Sequence, residues 1–112
     1  MMVDELKKAF DNFNKKAETD VKLQEALKDK VKHVFIDLTD MEGFRFTLRD
    51  QRIKDFGRGK PDAPDIHITT DSVTMEALIK KEMGPMKALV TKKLKLTKIS
   101  VEDLSTIKKL FG

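Results

Sequence analysis

The middle of the chain changes its apolar period within a few residues. Ile66 and Ile68 alternate with polar side chains, and this period of two predicts a half-buried β-strand. The next apolar side chains lie three and four residues apart, which is typical of the buried stripe of an α-helix: Met75, Leu78 and Ile79. A strand with one apolar face therefore leads directly into a helix with one apolar stripe. The two surfaces must pack against each other or enclose something apolar between them.

The same two periods divide the rest of the chain into helices and strands. Helical spacing covers residues 3–17, the segment after Asp20, the segment from Pro85 and residues 101–111, whereas alternation covers residues 33–38, 44–49, 52–56 and 93–97. The predicted order is α-α-β-β-β-β-α-α-β-α in one domain, residues 1–112. Consecutive hairpins favour a mostly antiparallel five-stranded sheet, although the helical crossover before the last strand would let that strand run parallel to its neighbour. We predict an α+β fold of two layers, in which helices cover one face of the sheet.

Strand alternation also predicts which side chains face the helices. Ten apolar residues should point to one side of the sheet: Val34, Ile36, Leu38, Phe44, Phe46, Leu48, Ile66, Ile68, Leu94 and Leu96. Phe35 is the one strand aromatic on the opposite, polar side. A single phenylalanine is too little for a base-stacking platform, so we expect no nucleic-acid partner.

Composition excludes several classes of protein. The 112 residues include no cysteine, so neither a disulfide nor a thiolate site is possible. No apolar run approaches the roughly 20 residues of a membrane-spanning helix, and Met1-Met2-Val3-Asp4-Glu5 lacks the basic start and apolar stretch of a signal peptide. Charged residues make up 38% of the chain and hydrophobic residues 39%, which predicts a small core under a heavily charged surface. We expect a cytoplasmic protein.

Catalytic and metal chemistry has few candidates. His33 and His67 both fall on the polar side of a strand, in phase with Asp37 and Asp65. If the two strands were neighbours, these four side chains could form a metal cluster, but no ligand-spacing motif supports one and we favour two solvated histidines. Ser72, Ser100 and Ser105 have no local nucleophile-elbow sequence, and the first two fit helix caps better. We expect no enzymatic activity, no metal and no cofactor.

Positive charge is concentrated at the C-terminal end of the sequence. Residues 80–112 carry 9 basic and 3 acidic side chains, whereas residues 1–79 carry 14 basic and 16 acidic ones. Such asymmetry is compatible with an anionic partner, although a solvated lysine face is the simpler interpretation. If a partner exists, four lysines are the predicted contacts for an anionic headgroup or an anionic membrane: Lys87, Lys92, Lys93 and Lys95.

One succession of residues resembles a known family. The strand Pro64-Asp65-Ile66-His67-Ile68-Thr69-Thr70-Asp71 has the form P-D-I-x-I-T-x-D, and it is followed by a helix with methionine and leucine, the basic-apolar strand Lys93-Leu94-Lys95-Leu96-Thr97 and a closing helix from Leu104 to Phe111. In order and spacing, from about Phe10 to Phe111, these pieces resemble the sterol carrier protein 2 family. The family usually has a glycine after the basic-apolar strand, as in K-x-x-G, where this chain has Lys98-Ile99.

The resemblance implies a five-stranded sheet covered on one side by helices, with an apolar tunnel between them for a sterol, a fatty acid or a fatty acyl-CoA. It implies no catalytic residues and places the closing helix beside the tunnel mouth. Within the family, the chain resembles the stand-alone prokaryotic members. Eleven apolar residues are the candidates for the tunnel wall: Met75, Leu78, Ile79, Met83, Met86, Leu89, Val90, Leu104, Ile107, Leu110 and Phe111. Taken without the resemblance, such stripes at helical spacing are more often ordinary core.

Three functions stay open on these observations. The first is a lipid carrier, whose partners are a lipid or fatty acyl ligand and, transiently, an anionic membrane. The second is a protein-interaction or dimerisation module without a lipid ligand, for which the helical stripe of Val3, Leu6, Phe10 and Phe13 would supply the interface. The third is an accessory subunit of a lipid-modifying enzyme. A continuous apolar cavity favours the first, and a solid core with a large apolar contact surface favours the second.

Overall fold

The computed structural model of the chain describes residues 1–111 as five helices and five strands. The helices are α1 (Met2–Thr19), α2 (Val21–Leu27), α3 (Ser72–Ile79), α4 (Pro85–Val90) and α5 (Val101–Phe111). The strands are β1 (Lys32–Leu38), β2 (Phe44–Arg49), β3 (Arg52–Arg58), β4 (Ile66–Thr70) and β5 (Lys95–Thr97). The order of elements and the α+β class agree with the prediction, and the last strand begins at Lys95 rather than at Lys93.

The five strands form one sheet in the order β3-β2-β1-β4-β5, with β1 at its centre. Neighbouring strands are antiparallel except for β1 and β4. The parallel pair arises because the chain crosses the sheet between β3 and β4. The amide of Gly59 donates to the carbonyl of Gly43 near the end of β1, and the amide of Asp65 donates to the carbonyl of His33 near its start. The chain has therefore returned to the start of β1 before β4 begins.

The parallel orientation considered for the last strand is corrected by the structure, in which β5 is antiparallel to β4. The hydroxyl of Thr70, the last residue of β4, donates a hydrogen bond of 2.8 Å to the carbonyl of Lys93. After α3 and α4 the chain thus re-enters the sheet at the end where β4 leaves it. A strand that starts there has to run back along β4 in the opposite direction.

The predicted apolar face of the sheet is confirmed. Val34 lies opposite Phe46 and Ile36 lies opposite Phe44 in the pairing of β1 with β2, and all four side chains are buried. Of the ten residues predicted to share this face, nine are buried and Leu96, on the short edge strand, is partly buried. The helices pack on this face, so that sheet and helices share one hydrophobic core.

The apolar stripe of α1 belongs to that core and is not a surface for a partner. Leu6, Phe10 and Phe13 are at most 4% exposed, and Val3 is partly buried against the same cluster. The rings of Phe10 and Phe46 have centroids 4.8 Å apart, which fixes the helix on the sheet. The interface considered from the sequence is therefore wrong, because these side chains cover the sheet.

Helix α1 also closes the outer edge of β3. The side-chain amide of Asn14 donates to the carbonyl of Ile53 at 3.1 Å, and its side-chain oxygen accepts from the amide of Ile53 at 2.8 Å. One side chain thus satisfies two backbone groups that an edge strand would otherwise leave to solvent.

Phe35 lies on the face opposite to the helices, yet it is only 9% exposed. The crossover between β3 and β4 passes over this face, and the ammonium of Lys60 lies 5.9 Å from the centroid of the Phe35 ring. The ring of His67 is 5.0 Å away, and a Cβ atom on Gly43 would lie 2.5 Å from the Phe35 ring. The direction of Phe35 is as predicted, but the crossover and a close glycine shield it from water.

Lys98 adopts a left-handed backbone conformation, with φ of 54°, at the position where glycine is usual in the family that the sequence resembles. A side chain in this region costs about 1–2 kcal/mol, whereas glycine enters it freely but loses about 0.5–1 kcal/mol more on folding. We expect Lys98→Gly to raise the free energy of unfolding by up to about 1 kcal/mol in urea denaturation. A loss of stability would mean that the lysine side chain makes contacts that outweigh the backbone cost.

Candidate functional site

Each helix after β4 begins at a residue that favours a helix start. The carboxylate of Asp71 accepts a hydrogen bond of 2.7 Å from the amide of Thr74 at the start of α3. Pro85 occupies the first turn of α4. The hydroxyl of Ser100 accepts a hydrogen bond of 3.1 Å from the amide of Asp103 at the start of α5. These local signals place the three helices where the sequence predicts them.

Five of the eleven predicted tunnel residues lie inside the hydrophobic core: Met75, Leu78, Ile107, Leu110 and Phe111. Met75 and Leu78 of α3 are fully buried, and the three residues of α5 are at most 8% exposed. All five join the cluster that covers the apolar face of the sheet. In this conformation they pack as core, so a lipid at this position would have to displace them.

The other six predicted tunnel residues lie at or beyond the margin of this core. Four are partly buried: Ile79, Met83, Leu89 and Leu104. Met86 and Val90, both on α4, are 48% and 76% exposed. The structure thus brings eight of the eleven residues into one apolar layer between sheet and helices and leaves Met86, Val90 and Leu104 outside it.

A cleft of about 340 Å³ lies between α1 and β3, away from the predicted tunnel residues. Its apolar floor is formed by Phe10, Ile53 and Phe56, and the rings of Phe10 and Phe56 have centroids 5.1 Å apart. Lys7 and Lys54 lie among the polar residues at its rim. Helical spacing alone did not reveal this cleft, because its two walls come from distant segments of the chain.

The four predicted basic contacts cluster around the end of α4 and the start of β5, and all are exposed: Lys87, Lys92, Lys93 and Lys95. None of them takes part in a salt bridge among residues 1–111. The backbone of this segment is held firmly, since the amides of Lys93 and Leu94 donate to the carbonyl of Ala88 at 2.9 and 3.1 Å. The positive charges are therefore presented from a fixed backbone.

A buried ion cluster, which the sequence did not reveal, attaches α5 to the start of β1. The ammonium of Lys30 lies 3.3 Å from the carboxylate of Asp103 and 3.2 Å from that of Glu102, and Lys32 lies 3.6 Å from Asp103. The Asp103 side chain is only 3% exposed. Burial raises the pKa of Asp103, but the Ser100 hydroxyl and the Lys30 ammonium lower it by more, so the pKa lies below its ordinary value. The closing helix is thus fixed by charge as well as by apolar contacts.

The two histidines have partners on the polar face of the sheet. The Nε2 atom of His67 lies 3.1 Å from the carboxylate of Asp37, and the Nδ1 atom of His33 lies 3.2 Å from the hydroxyl of Thr47. The backbone amide of His33 donates to the carboxylate of Asp65 at 2.8 Å. Among residues 1–111 no group of three or more histidine or acidic side chains is arranged to hold a metal ion. Nor is any helix in this range long and apolar enough to cross a membrane.

Comparison with models of known protein families identifies the family of this chain. A model of the SCP-2 sterol transfer family matches residues 10–107. The chain belongs to the SCP-2 sterol transfer family. The match extends from α1 into α5, so it includes the whole sheet and the helices α2, α3 and α4. It confirms the resemblance drawn from β4, the basic-apolar strand and the closing helix.

Solved structures share the SCP-2 fold at low sequence identity. Palmitated SCP2L2 from Aedes aegypti superimposes with a TM-score of 0.66 at 14% identity, over 99% of this chain and 95% of that one. Sterol carrier protein 2 from Yarrowia lipolytica, in its apo form, gives a TM-score of 0.60 at 18% identity, over 96% and 84% of the two chains.

The fold also occurs within a larger enzyme. The sec-alkylsulfatase Pisa1 from Pseudomonas sp. gives a TM-score of 0.61 at 13% identity over 79% of this chain, which spans only 13% of the length of that enzyme. A search of curated proteins by sequence finds no match. The SCP-2 fold is therefore found in small proteins of about this size and as one part of a much longer chain.

Proposed function

We propose that this SCP-2 protein is a non-enzymatic carrier that holds a sterol, a fatty acid or a fatty acyl-CoA between the sheet and helices α3, α4 and α5. The observation that carries the proposal is family membership over residues 10–107. The apolar layer that includes Met75, Leu78 and Ile107 supports it, because the hydrocarbon part of a lipid needs apolar contacts. A structural relative from Aedes aegypti was solved in a palmitated form, which is compatible with an acyl ligand.

The ligand would reach the layer at its partly buried margin, where Met83 and Leu89 lie. An acyl chain that moves in between the helices and the sheet exchanges protein contacts for lipid contacts of the same apolar kind. Met75 and Met83 suit such an exchange, because methionine is flexible and fills irregular spaces. About ten enclosed methylene groups at ~0.8 kcal/mol each supply about 8 kcal/mol, from which the costs of association and of displacing core side chains are subtracted.

The exposed lysines would receive the polar end of the ligand. Lys87, Lys92, Lys93 and Lys95 offer charges for a carboxylate or a phosphate, or for the anionic membrane from which a lipid is taken. We propose the cytoplasm as the compartment, and a lipid or fatty acyl group as the ligand. Neither a cofactor nor a nucleic acid is needed for this function.

Leu89→Trp tests the position of the ligand. Leu89 is partly buried at the margin of the layer, so an indole at this position would occupy the proposed access route. We expect the wild type to bind a fluorescent fatty acid and the variant to bind it at least about fivefold more weakly, a difference of about 1 kcal/mol. The measurement is a fluorescence titration, with melting temperatures within a few degrees of each other.

The matched control is Val73→Trp, because Val73 lies on α3 and is 75% exposed. This variant should leave the Kd unchanged. Failure of the wild type to bind a fatty acid, a sterol or an acyl-CoA in titration and in native mass spectrometry would reject the carrier. An unchanged Kd for Leu89→Trp would place the ligand away from α4, with the cleft between α1 and β3 as the next position to test.

A second candidate is an accessory subunit or domain of a lipid-modifying enzyme. The observation in its favour is the alkylsulfatase Pisa1, in which the matching fold is a small part of the chain. An accessory domain would still have to present a lipid, so the two candidates differ in the partner and not in the site. Full saturable fatty-acid binding by the isolated chain favours the carrier, whereas binding that appears only together with an enzyme favours the accessory domain.

A further inference from the structure

The surface formed by α4, the segment after it and β5 combines exposed apolar side chains with positive charge. From Met83 to Val101 the chain has five lysines and no acidic residue. We call this surface the α4–β5 basic surface, and it consists of Met86, Lys87, Val90, Lys92, Lys93 and, at the edge of the sheet, Lys95. The side chain of Lys95 alternates with that of Leu96, so it leaves the sheet on the face opposite to the helices. Met86 and Val90 are one helical turn apart and are 48% and 76% exposed. Its four lysines have no salt-bridge partner within the described residues.

The inner side of the same segment is anchored in the core, so the exposed side chains project from a rigid support. Ala88 and Leu94 are 0% and 1% exposed. The amide of Lys93 donates to the carbonyl of Ala88 at 2.9 Å, and the carbonyl of Lys93 accepts a hydrogen bond of 2.8 Å from the hydroxyl of Thr70 at the end of β4. Met86 and Val90 stay on the outer side of α4, because Ala88 already occupies the side that faces the core.

We propose that the α4–β5 basic surface docks onto an anionic lipid bilayer, with Met86 and Val90 inserted among the headgroups and the lysines on lipid phosphates. A short helix with an exposed apolar face and surrounding lysines is the arrangement that binds in the plane of a membrane interface. Each lysine close to such a surface strengthens binding about fivefold. The inference rests on the proposed function in one respect, since a carrier has to meet a membrane to exchange its ligand.

Co-sedimentation with phosphatidylcholine vesicles, with and without phosphatidylglycerol, tests the charge. The wild type should bind only the anionic vesicles, and binding should weaken as salt is raised. Lys92→Glu/Lys93→Glu should weaken binding at least about 25-fold, since two attractive charges are lost and two repulsive ones are added. The matched control is Lys8→Glu/Lys15→Glu, which changes the net charge equally at two exposed positions of α1 and should weaken binding by much less.

Two further pairs of variants test the apolar part of the surface. Met86→Ser/Val90→Ser should weaken binding to anionic vesicles about tenfold, whereas Val21→Ser/Val73→Ser, at valines that are 63% and 75% exposed elsewhere, should not. The chain contains no tryptophan, so Met86→Trp supplies a single fluorophore on α4. Its emission should shift to the blue on anionic vesicles and be quenched by brominated lipids, and that of Val73→Trp should not.

Three results would overturn the docking surface. Equal loss of vesicle binding in the α1 lysine pair would show a general effect of net charge. Tighter binding to single-stranded RNA than to anionic vesicles, lost in Lys92→Glu/Lys93→Glu, would assign the surface to nucleic acid. Fatty-acid binding in solution without vesicle binding would leave the carrier standing and remove the docking surface. Vesicle binding without fatty-acid binding would instead support the docking surface and reject only the carrier.

Discussion

Replacing Phe46 with alanine should lower the free energy of unfolding by about 3–5 kcal/mol. Phe46 is 2% exposed, lies opposite Val34 in the pairing of β2 with β1, and has its ring 4.8 Å from that of Phe10. The substitution opens a cavity under α1, because the helix and the sheet are each held in place by many other contacts. Urea denaturation followed by circular dichroism measures the loss.

The matched control is Phe35→Ala, which removes the same side chain from the opposite face of the sheet. Phe35 is 9% exposed and is covered by the crossover with Lys60 rather than by a helix. We expect a smaller loss, about 1–2 kcal/mol, because the crossover can settle onto the vacated space. A loss below about 1 kcal/mol for Phe46→Ala, or a larger loss for Phe35→Ala than for Phe46→Ala, would contradict the assignment of the core to the helix-covered face.

Asp103→Asn should lower the free energy of unfolding by about 2–3 kcal/mol at neutral pH. Asp103 is the buried member of the ion cluster, and its removal leaves Lys30, whose side chain is 18% exposed, without its closest buried counter-charge. The expected loss is below that of a fully buried pair, because both lysines of the cluster retain some contact with water. Glu102→Gln is the control, since the Glu102 side chain is 79% exposed and surface pairs contribute within about 1 kcal/mol.

The contribution of Asp103 should also depend on pH in one direction. Its pKa is below the ordinary value of 3.8 in the folded state, so the folded state favours the ionised carboxylate. The resulting stability is fully present above the pKa of the unfolded chain and is lost as the pH falls through the folded pKa. Wild type and Asp103→Asn should therefore differ by a constant amount between about pH 5 and 7 and converge below about pH 4. A difference that grows towards acid pH would contradict the cluster.

Alternation predicted the sheet because only one register buries a complete apolar face. Val34 and Ile36 on β1 meet Phe46 and Phe44 on β2, and a shift of one residue would turn all four towards solvent. The change from strand to helix after Thr70 was equally readable, since the apolar period changes there.

Contacts between distant segments were not readable from the sequence. The pair Lys30 and Asp103 joins positions 73 residues apart, and no periodic pattern around either residue indicates the contact. The cover over Phe35 depends on the path of the crossover, and the parallel pairing of β1 with β4 depends on the same path. None of these three contacts produces a periodic pattern of apolar residues in the sequence.

The orientation of α4 could not be predicted for a different physical reason. Met86, Leu89 and Val90 lie within about 100° of the helix circumference and Ala88 lies on nearly the opposite side. A helix of only six residues is too short for such a stripe to decide which side faces inward. Ala88 is the fully buried residue of this helix, and Val90 is 76% exposed. The small side chain faces the core and the larger ones lie at its margin or outside, which is how two predicted tunnel residues come to lie on the surface.

The two hydrogen bonds between Asn14 and Ile53 mean that one side chain imitates a neighbouring strand. At this position β3 has no free backbone groups to offer a strand of a second molecule while α1 is docked. At the opposite edge, β5 is only three residues long, and a very short edge strand offers little backbone for another strand to pair with. Each border of the sheet thus carries one feature that hinders pairing with a second molecule. At high concentration, we therefore expect these edges to be poor sites for edge-to-edge association.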